Sequence, residues 1–153
     1  MTAPDILILA EPFDPENEAR RFRLACPDAG AIVTFTGLVR GEGDPSLRLV
    51  LEHCPALTER EIEGFAANAF RRWPLQALAV RHRVGLLTPG EPIVFVGAAS
   101  AHRRAAFEAA DYVMDYLKSA APFWKRECDA RGERWIEPRA EDRRDLERWR
   151  TEP

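Results

Sequence analysis

Lysine is scarce in this chain, and its two lysines lie close together in the sequence. Lys118 and Lys125 are the only lysines among 22 lysine and arginine residues. An arginine guanidinium stays protonated inside proteins, whereas a lysine ammonium loses its proton readily when burial removes the surrounding water. The two lysines are therefore candidates for acid/base or electrostatic catalysis. The alternative is that they remain among the arginines by chance.

The residues around Lys125 favour an unusual ammonium group. Phe123 and Trp124 precede it, and Arg126 follows it. Aromatic surface that excludes water and a neighbouring cation both disfavour a charged ammonium, so we expect both to lower the pKa of Lys125. Lys118 lies in the last turn of a predicted helix, where the helix dipole favours a cation and where cations without a catalytic role are common.

The start of the same predicted helix carries a second group of basic residues, in the segment Ser100-Ala101-His102-Arg103-Arg104. Unpaired backbone N–H groups and the positive end of the helix dipole favour an anion there and disfavour cations. We therefore expect His102 and Arg103 to bind a phosphate group. The alternative is a solvated basic turn with a structural histidine.

Helix geometry separates these two groups of residues. At a rise of about 1.5 Å per residue, His102 and Lys118 lie roughly 24 Å apart along one helix. One small substrate cannot contact both residues of one chain. If both contact the same substrate, a second copy must supply one of them, which predicts a symmetric homodimer with the site at its interface.

Caps, turn residues and apolar periodicity predict the elements that hold these side chains. Asp14 caps the first helix, Thr58 and Glu61 form a capping box at the start of the second, and the helix opened by Ser100 is the longest. The predicted helices are Pro15–Ala25, Thr58–Trp73 and Ala101–Ala120. The predicted strands are Ile6–Leu9, Ala31–Val39, Leu47–His53, Leu78–Leu87, Ile93–Ala98, Phe123–Glu127 and Arg134–Ile136.

This order of elements predicts an α+β fold with a largely antiparallel sheet and flanking helices. Leu78–Leu87 and Ile93–Ala98 are joined by Thr88-Pro89-Gly90-Glu91, which predicts an antiparallel hairpin. The 153 residues suffice for one sizeable core, so we expect a single domain over residues 1–153. A charged C-terminal tail from about residue 140 has the composition of a flexible segment.

Composition excludes several classes of protein. A net charge of −3 argues against a general nucleic-acid binder. The sequence contains neither a signal peptide nor an apolar run of about 20 residues, so we expect a cytoplasmic protein that does not enter a membrane. The three cysteines suggest neither a disulfide framework nor a zinc site, and His53 and His82 fit strand positions rather than a ligand cluster. We therefore expect no metal and no cofactor.

Several ordered segments carry a resemblance to a known family. They are VTFTGLVR, LEHCPALTE, RWPL, HRVGLLTPGE, VFVGAASAHRRAAFEA, MDYLKSAAPFWKRE and RWIEPR. From about Asp28 to Trp149 the chain resembles the large, catalytic subunits of molybdopterin synthase, the MoaE family. The resemblance implies an α/β hammerhead fold and a homodimer at the centre of a heterotetramer. Each large subunit of that family binds a small ubiquitin-like sulfur carrier whose C-terminal Gly-Gly thiocarboxylate enters the active site.

The resemblance also implies the reaction and its residues. Two sulfurs, one from each of two carriers, are placed on cyclic pyranopterin monophosphate, whose cyclic phosphate opens to give the dithiolene of molybdopterin. The implied catalytic residues are Lys118 and Lys125, of which we expect Lys118 to be the main acid/base or electrostatic catalyst and Lys125 to lie at the carrier tail and the substrate. The implied substrate-binding positions are Leu38, Val39, Arg40, His102, Arg103, Lys118, Lys125, Arg126, Glu127 and Arg139. Relatives often have lysine where this chain has Leu38, so any role there falls to the backbone.

Two further interpretations remain open at this point. A non-catalytic module could bind a ubiquitin-like partner and a phosphorylated ligand, with its charges serving only to hold them. A phosphate-ester hydrolase would need a metal cluster or an evident nucleophile, and the sequence suggests neither. For the carrier, extended tails commonly bind along a groove or sheet edge, so we expect the strand Phe123–Glu127 to form one wall of the tail's binding site.

Overall fold

The strands form two four-stranded sheets. A computed structural model describes residues 3–150 of the chain. The element order is β1 (Asp5–Leu9), α1 (Pro15–Leu24), β2 (Ala31–Leu38), β3 (Arg48–His53), α2 (Pro55–Arg72), β4 (Leu75–Arg83), β5 (Gly85–Leu87), β6 (Pro92–Ser100), α3 (Arg103–Ser119), β7 (Phe123–Asp129), β8 (Gly132–Ile136) and α4 (Ala140–Glu147). The first sheet has the order β1-β4-β6-β2 and the second the order β5-β3-β7-β8. Residues 1, 2 and 151–153 of the predicted domain lie outside the described residues.

Helices cover both faces of the first sheet. Along β4, Leu78 and Val80 face α2 and α3, where they pack in the main core with residues such as Ile62 and Val113. Ala79, which points the opposite way, packs in a second cluster with Phe22 of α1. A third cluster, formed by Val39, Leu51 and Leu87, lies between the sheets. Within residues 3–150, β1 and β4 are the only strands that pair in parallel, so the predicted α+β class and the mainly antiparallel pairing are confirmed.

The prediction of one continuous strand over Leu78–Leu87 is wrong. The first strand ends at Arg83, and a second begins at Gly85. Gly85 adopts a positive φ of 91° that residues with a side chain rarely take. β4 therefore stays in the first sheet, whereas β5 crosses to the second and pairs with β3. The antiparallel pairing of β4 with β6 is as predicted, but the connection between them contains an additional strand.

Two helix predictions also need correction. α2 begins at Pro55 rather than at Thr58, because proline with its fixed φ suits the first helical position. The Thr58 hydroxyl is therefore free for tertiary structure, and it donates to the Pro122 carbonyl at 3.2 Å. α2 has 18 residues and α3 has 17, so the helix that carries Lys118 is not the longest. The predicted Asp14 cap is confirmed, since its side chain accepts from the Glu16 N–H at 3.0 Å.

The segment after residue 139 forms a helix that packs on the rest of the chain. α4 contacts α3, and beyond it Trp149 packs against Trp73 and Tyr112 at centroid distances of 5.6 and 5.5 Å. The Trp149 indole N–H donates to the Asp115 carboxylate at 2.6 Å. These contacts fix the segment before α4, which forms one side of the cavity described next.

Candidate active site

A cavity of about 440 Å³ opens where the two sheets meet. Its walls come from the end of β2, from β3, β4, β6, β7 and β8, from the last turns of α3 and from the segment that leads into α4. The charged or titratable side chains that line it are Arg40, Glu42, His82, Lys118, Lys125, Glu127, Glu137, Arg139 and Asp142. Apolar side chains from both sheets complete the lining, so the charges face a partly dehydrated space.

The fold brings the two lysines into this one cavity. Lys118 is exposed in the last turn of α3, and Lys125 is half-buried on β7 between Leu51 of β3 and Ile136 of β8. The pKa of Lys125 is lowered to about 8, chiefly by burial and also by the charge of Lys118, whereas Asp142 and Glu127 act in the opposite direction. Lys125 can therefore gain or lose a proton near neutral pH.

Only part of the predicted reason for this lowered pKa is correct. Side chains alternate along β7, so Phe123, Lys125 and Glu127 line the cavity while Trp124 and Arg126 point away from it. Trp124 is 49% exposed. Arg126 pairs with Glu52 at 3.6 Å on the far face of the sheet. The structure does not bring Arg126 into the cavity with the other predicted substrate-binding residues.

The predicted residues after β2 lie at the cavity rim. Arg40 is exposed and forms an ion pair with Glu42 at 3.6 Å. Both backbone groups of Val39 already have hydrogen-bond partners. Its N–H donates to the Glu91 carbonyl at 3.0 Å, and its carbonyl accepts from the Gly90 N–H at 2.8 Å. Leu38 is 56% exposed and carries no charge. Arg40 is therefore the residue of this segment that can hold an anion through its side chain.

Glu127 and Arg139 also line the cavity, and both have protein partners. Glu127 accepts from the Arg134 guanidinium at 3.0 Å. Arg139 pairs with Glu141 at 2.6 Å and occupies the N-cap position of α4, where its N–H donates to Asp142 at 3.2 Å. Arg134 and Glu141 lie outside the cavity lining, so these two partners can hold Glu127 and Arg139 in place without occupying the cavity.

His102 and Arg103 lie in a different, shallow depression, which is lined by Gly30, Ala31, Ala101, His102, Arg103 and Arg104. His102 is the N-cap residue of α3, and its side chain makes no capping hydrogen bond. Gly30 permits the close approach of the chain here, because a Cβ at residue 30 would overlap the Ala101 carbonyl. In one chain the structure thus keeps His102 and Arg103 apart from the lysines, as the helix geometry predicted.

Four titratable residues of the cavity lining were not predicted from the sequence, namely Glu42, His82, Glu137 and Asp142, and His82 is the buried one among them. His82 is 6% exposed and stacks on Phe123, with a centroid distance of 3.9 Å and an interplanar angle of 12°. The signal for it was present in β4, where Leu78, Val80 and His82 occupy alternate positions on the core-facing side. A polar residue at the end of such an apolar series indicates the boundary between the hydrophobic core and a binding cavity.

The sequence matches the MoaE protein family over residues 8–120, which is more than half of the chain. The chain belongs to the MoaE family. The molybdopterin synthase catalytic subunit of Pseudomonas aeruginosa is 50% identical over 139 residues, which cover 90% of this chain and 93% of that protein.

Solved MoaE structures agree with this assignment. The molybdopterin biosynthesis MoaE protein from Burkholderia ambifaria MC40-6 superposes with a TM-score of 0.82 at 43% identity, covering 97% of this chain and 99% of the other. Molybdopterin synthase from Staphylococcus aureus gives a TM-score of 0.74 at 27% identity over 89% of this chain and 98% of the other.

No helix within residues 3–150 is long and apolar enough to cross a membrane. In the same residues no group of three or more histidine, cysteine, aspartate or glutamate side chains is arranged to hold a metal ion.

Proposed function

We propose that this MoaE chain is the catalytic subunit of a cytoplasmic molybdopterin synthase and that the cavity between its sheets is the place of sulfur transfer. The observation that carries the proposal is the meeting of Lys118 and Lys125 in one partly apolar cavity, with burial holding the pKa of Lys125 at about 8. An ammonium with that pKa can donate a proton to a leaving group near neutral pH. The relatives named as catalytic subunits support the same reaction.

The chemistry divides between the two lysines. The thiocarboxylate sulfur of the carrier attacks a carbon of cyclic pyranopterin monophosphate, a C–S bond forms and the C–O bond to the phosphate breaks. The leaving phosphate oxygen takes a proton, which Lys125 supplies as ammonium. Lys118, exposed to the cavity, supplies a fixed positive charge for the thiocarboxylate and phosphate oxygens. Water then hydrolyses the resulting thioester, which returns the carrier carboxylate and leaves the sulfur on the pterin.

Binding of the substrate phosphate falls to the basic residues at the edges of the site. Arg40, two residues beyond the end of β2, can bind phosphate oxygens through two N–H groups of its guanidinium. Arg139 and Glu127 shape the opposite side of the cavity. His102 and Arg103 complete the site from a second copy of the chain, because one chain places them in a separate depression. We therefore propose a homodimer with two composite sites, each served by one carrier subunit.

The direct test of the proposed function is reconstitution of the reaction. Purified chain, thiocarboxylated carrier and cyclic pyranopterin monophosphate are expected to yield molybdopterin, measured by mass spectrometry of the product. The matched control uses the same carrier with an ordinary C-terminal carboxylate, which has no sulfur to give. If the chain binds carrier and pterin but forms no product above the control, it is the non-catalytic binding module instead.

The carrier tail is expected to lie along the cavity side of β7. Phe123→Ala should weaken carrier binding about tenfold, because Phe123 forms part of the cavity wall that the tail would contact. Trp124→Ala is the matched control, since Trp124 is an aromatic neighbour on the opposite face of the strand. Isothermal titration calorimetry of each variant with the carrier measures the effect, and thermal unfolding shows whether Phe123→Ala remains folded. Equal affinities for the two variants would place the tail elsewhere.

A further inference from the structure

A buried histidine occupies a position where the fold alone calls for an apolar residue. His82 follows Leu78 and Val80 on the core-facing side of β4, and both of those residues are almost fully buried in the main core. Burying an imidazole costs free energy unless its polar atoms find partners. Such an exception to the apolar pattern is typical of residues that serve a site rather than the core.

The orientation of the His82 ring is fixed from two sides. Its Nδ1 lies 2.8 Å from the Arg83 carbonyl oxygen. A carbonyl oxygen only accepts hydrogen bonds, so Nδ1 carries the proton and donates it. The ring also lies nearly flat on Phe123, which prevents rotation about its axis. Nε2 is thereby assigned as the nitrogen with a free lone pair.

The surroundings keep this imidazole uncharged. The pKa of His82 is lowered to about 4, chiefly by burial. The hydrogen bond to Arg83 opposes that shift, and the charges of Lys125, Lys118 and His53 contribute to it. These three groups belong to β7, α3 and β3, the elements packed around the ring. At neutral pH His82, which lines the cavity, therefore has an uncharged imidazole whose Nε2 can accept a hydrogen bond.

Nε2 differs from the other side-chain acceptors of the cavity. Among the described residues each lining carboxylate already has a partner: Glu127 and Asp142 accept hydrogen bonds from Arg134 and from the Arg139 N–H. Glu42 and Glu137 form ion pairs with Arg40 and Arg143 at 3.6 and 3.7 Å. The His82 Nε2 has no hydrogen-bond partner within residues 3–150. A ligand donor is the partner that this atom lacks.

We propose that His82 is a substrate-binding residue whose Nε2 accepts a hydrogen bond from a ring N–H of the pterin and so fixes its orientation beside Lys118 and Lys125. The proposal rests on the proposed function. Phosphate and thiocarboxylate groups offer no donor at neutral pH, so the acceptor suits the heterocycle rather than the anionic parts of either substrate. A ring fixed on both sides also has little conformational freedom to lose when the ligand binds.

Three substitutions separate this role from a structural one. His82→Asn keeps an N–H donor near the Arg83 carbonyl and removes the acceptor at the Nε2 position. His82→Gln reaches the Nε2 position with an amide oxygen but does not reproduce the bond to Arg83, and His82→Phe keeps only the stack on Phe123. Each variant is assayed for KM and kcat with pterin at saturating thiocarboxylated carrier, for carrier Kd by calorimetry, and for its thermal midpoint.

The expected result is a KM for pterin raised about tenfold or more in His82→Asn and His82→Phe, with His82→Gln nearer to the unsubstituted protein and carrier Kd unchanged throughout. The proposal is overturned if Asn preserves KM better than Gln, if KM follows the thermal midpoint, or if carrier Kd rises while pterin KM stays constant. Failure of the unsubstituted protein to form molybdopterin would instead reject the proposed function, so the two failures are distinguishable.

Discussion

Lys125→Arg is expected to lower the rate of molybdopterin formation by about 10²- to 10⁴-fold, the range typical of a lost proton-transfer group. Arginine keeps a positive charge, but its guanidinium does not titrate in the accessible pH range and is too broad to occupy the place of a compact ammonium. Lys118→Arg is expected to cause a smaller loss, because the fixed charge that Lys118 supplies is retained. Single-turnover rates with saturating carrier and pterin measure both effects.

The pH dependence identifies the proton donor. Because the pKa of Lys125 is lowered to about 8, its ammonium form is present below that pH and is lost above it. The rate with the unsubstituted protein should therefore fall as the pH rises through about 8, and the residual rate of Lys118→Arg should fall in the same range. The residual rate of Lys125→Arg should show no such fall. A rate of Lys125→Arg equal to that of the unsubstituted protein would remove Lys125 from the chemistry.

Two inactive variants are expected to restore activity when they share a dimer. His102→Ala and Lys118→Met homodimers should each lose most of the activity. In a heterodimer one composite site carries both substitutions and the other carries neither, so about half of the activity of the unsubstituted dimer should return. Subunits with two different affinity tags, co-expressed and purified through both tags, give this heterodimer for the same single-turnover assay.

The control for this experiment comes from the geometry of the cavity. Lys118 and Lys125 of one chain line the same cavity. In a heterodimer of Lys118→Met with Lys125→Met each site therefore lacks one lysine, and no activity should return. Restoration in this control, or none in the His102 and Lys118 pair, would contradict a site shared between copies. A purely monomeric protein in gel filtration would contradict it as well.

Local sequence signals placed the individual elements well. The cap at Asp14 and the periodicity of α3 are determined by residues a few positions apart, so short-range chemistry suffices to predict them. Capping was misleading at Thr58, because Pro55 begins the helix earlier and the Thr58 hydroxyl bonds to a carbonyl 64 residues away. The sequence shows that a threonine hydroxyl can donate a hydrogen bond, but it does not show which distant group accepts it.

The division into two sheets was not predictable from periodicity. Apart from Gly85, the run from Leu78 to Leu87 suits one continuous strand, and the break depends on a positive φ at Gly85 together with the availability of β3 as a partner for β5. Strand pairing depends on residues far apart in the sequence, because a strand pairs with an edge that has no other partner in the folded protein. Strand pairing also determines which side chains line the cavity, since the cavity lies where the two sheets come together.

The sequence by itself determined which chemical groups this protein has and how far apart one helix must hold them. Two lysines among arginines, a basic segment at the start of α3 and about 24 Å between His102 and Lys118 followed from residue type and helical rise. The tertiary structure decided which groups face one another, because burial and strand alternation depend on the packed sheets. It turned Arg126 away from the cavity, brought His82 into its wall, and gave Lys125 the dehydrated surroundings that lower its pKa.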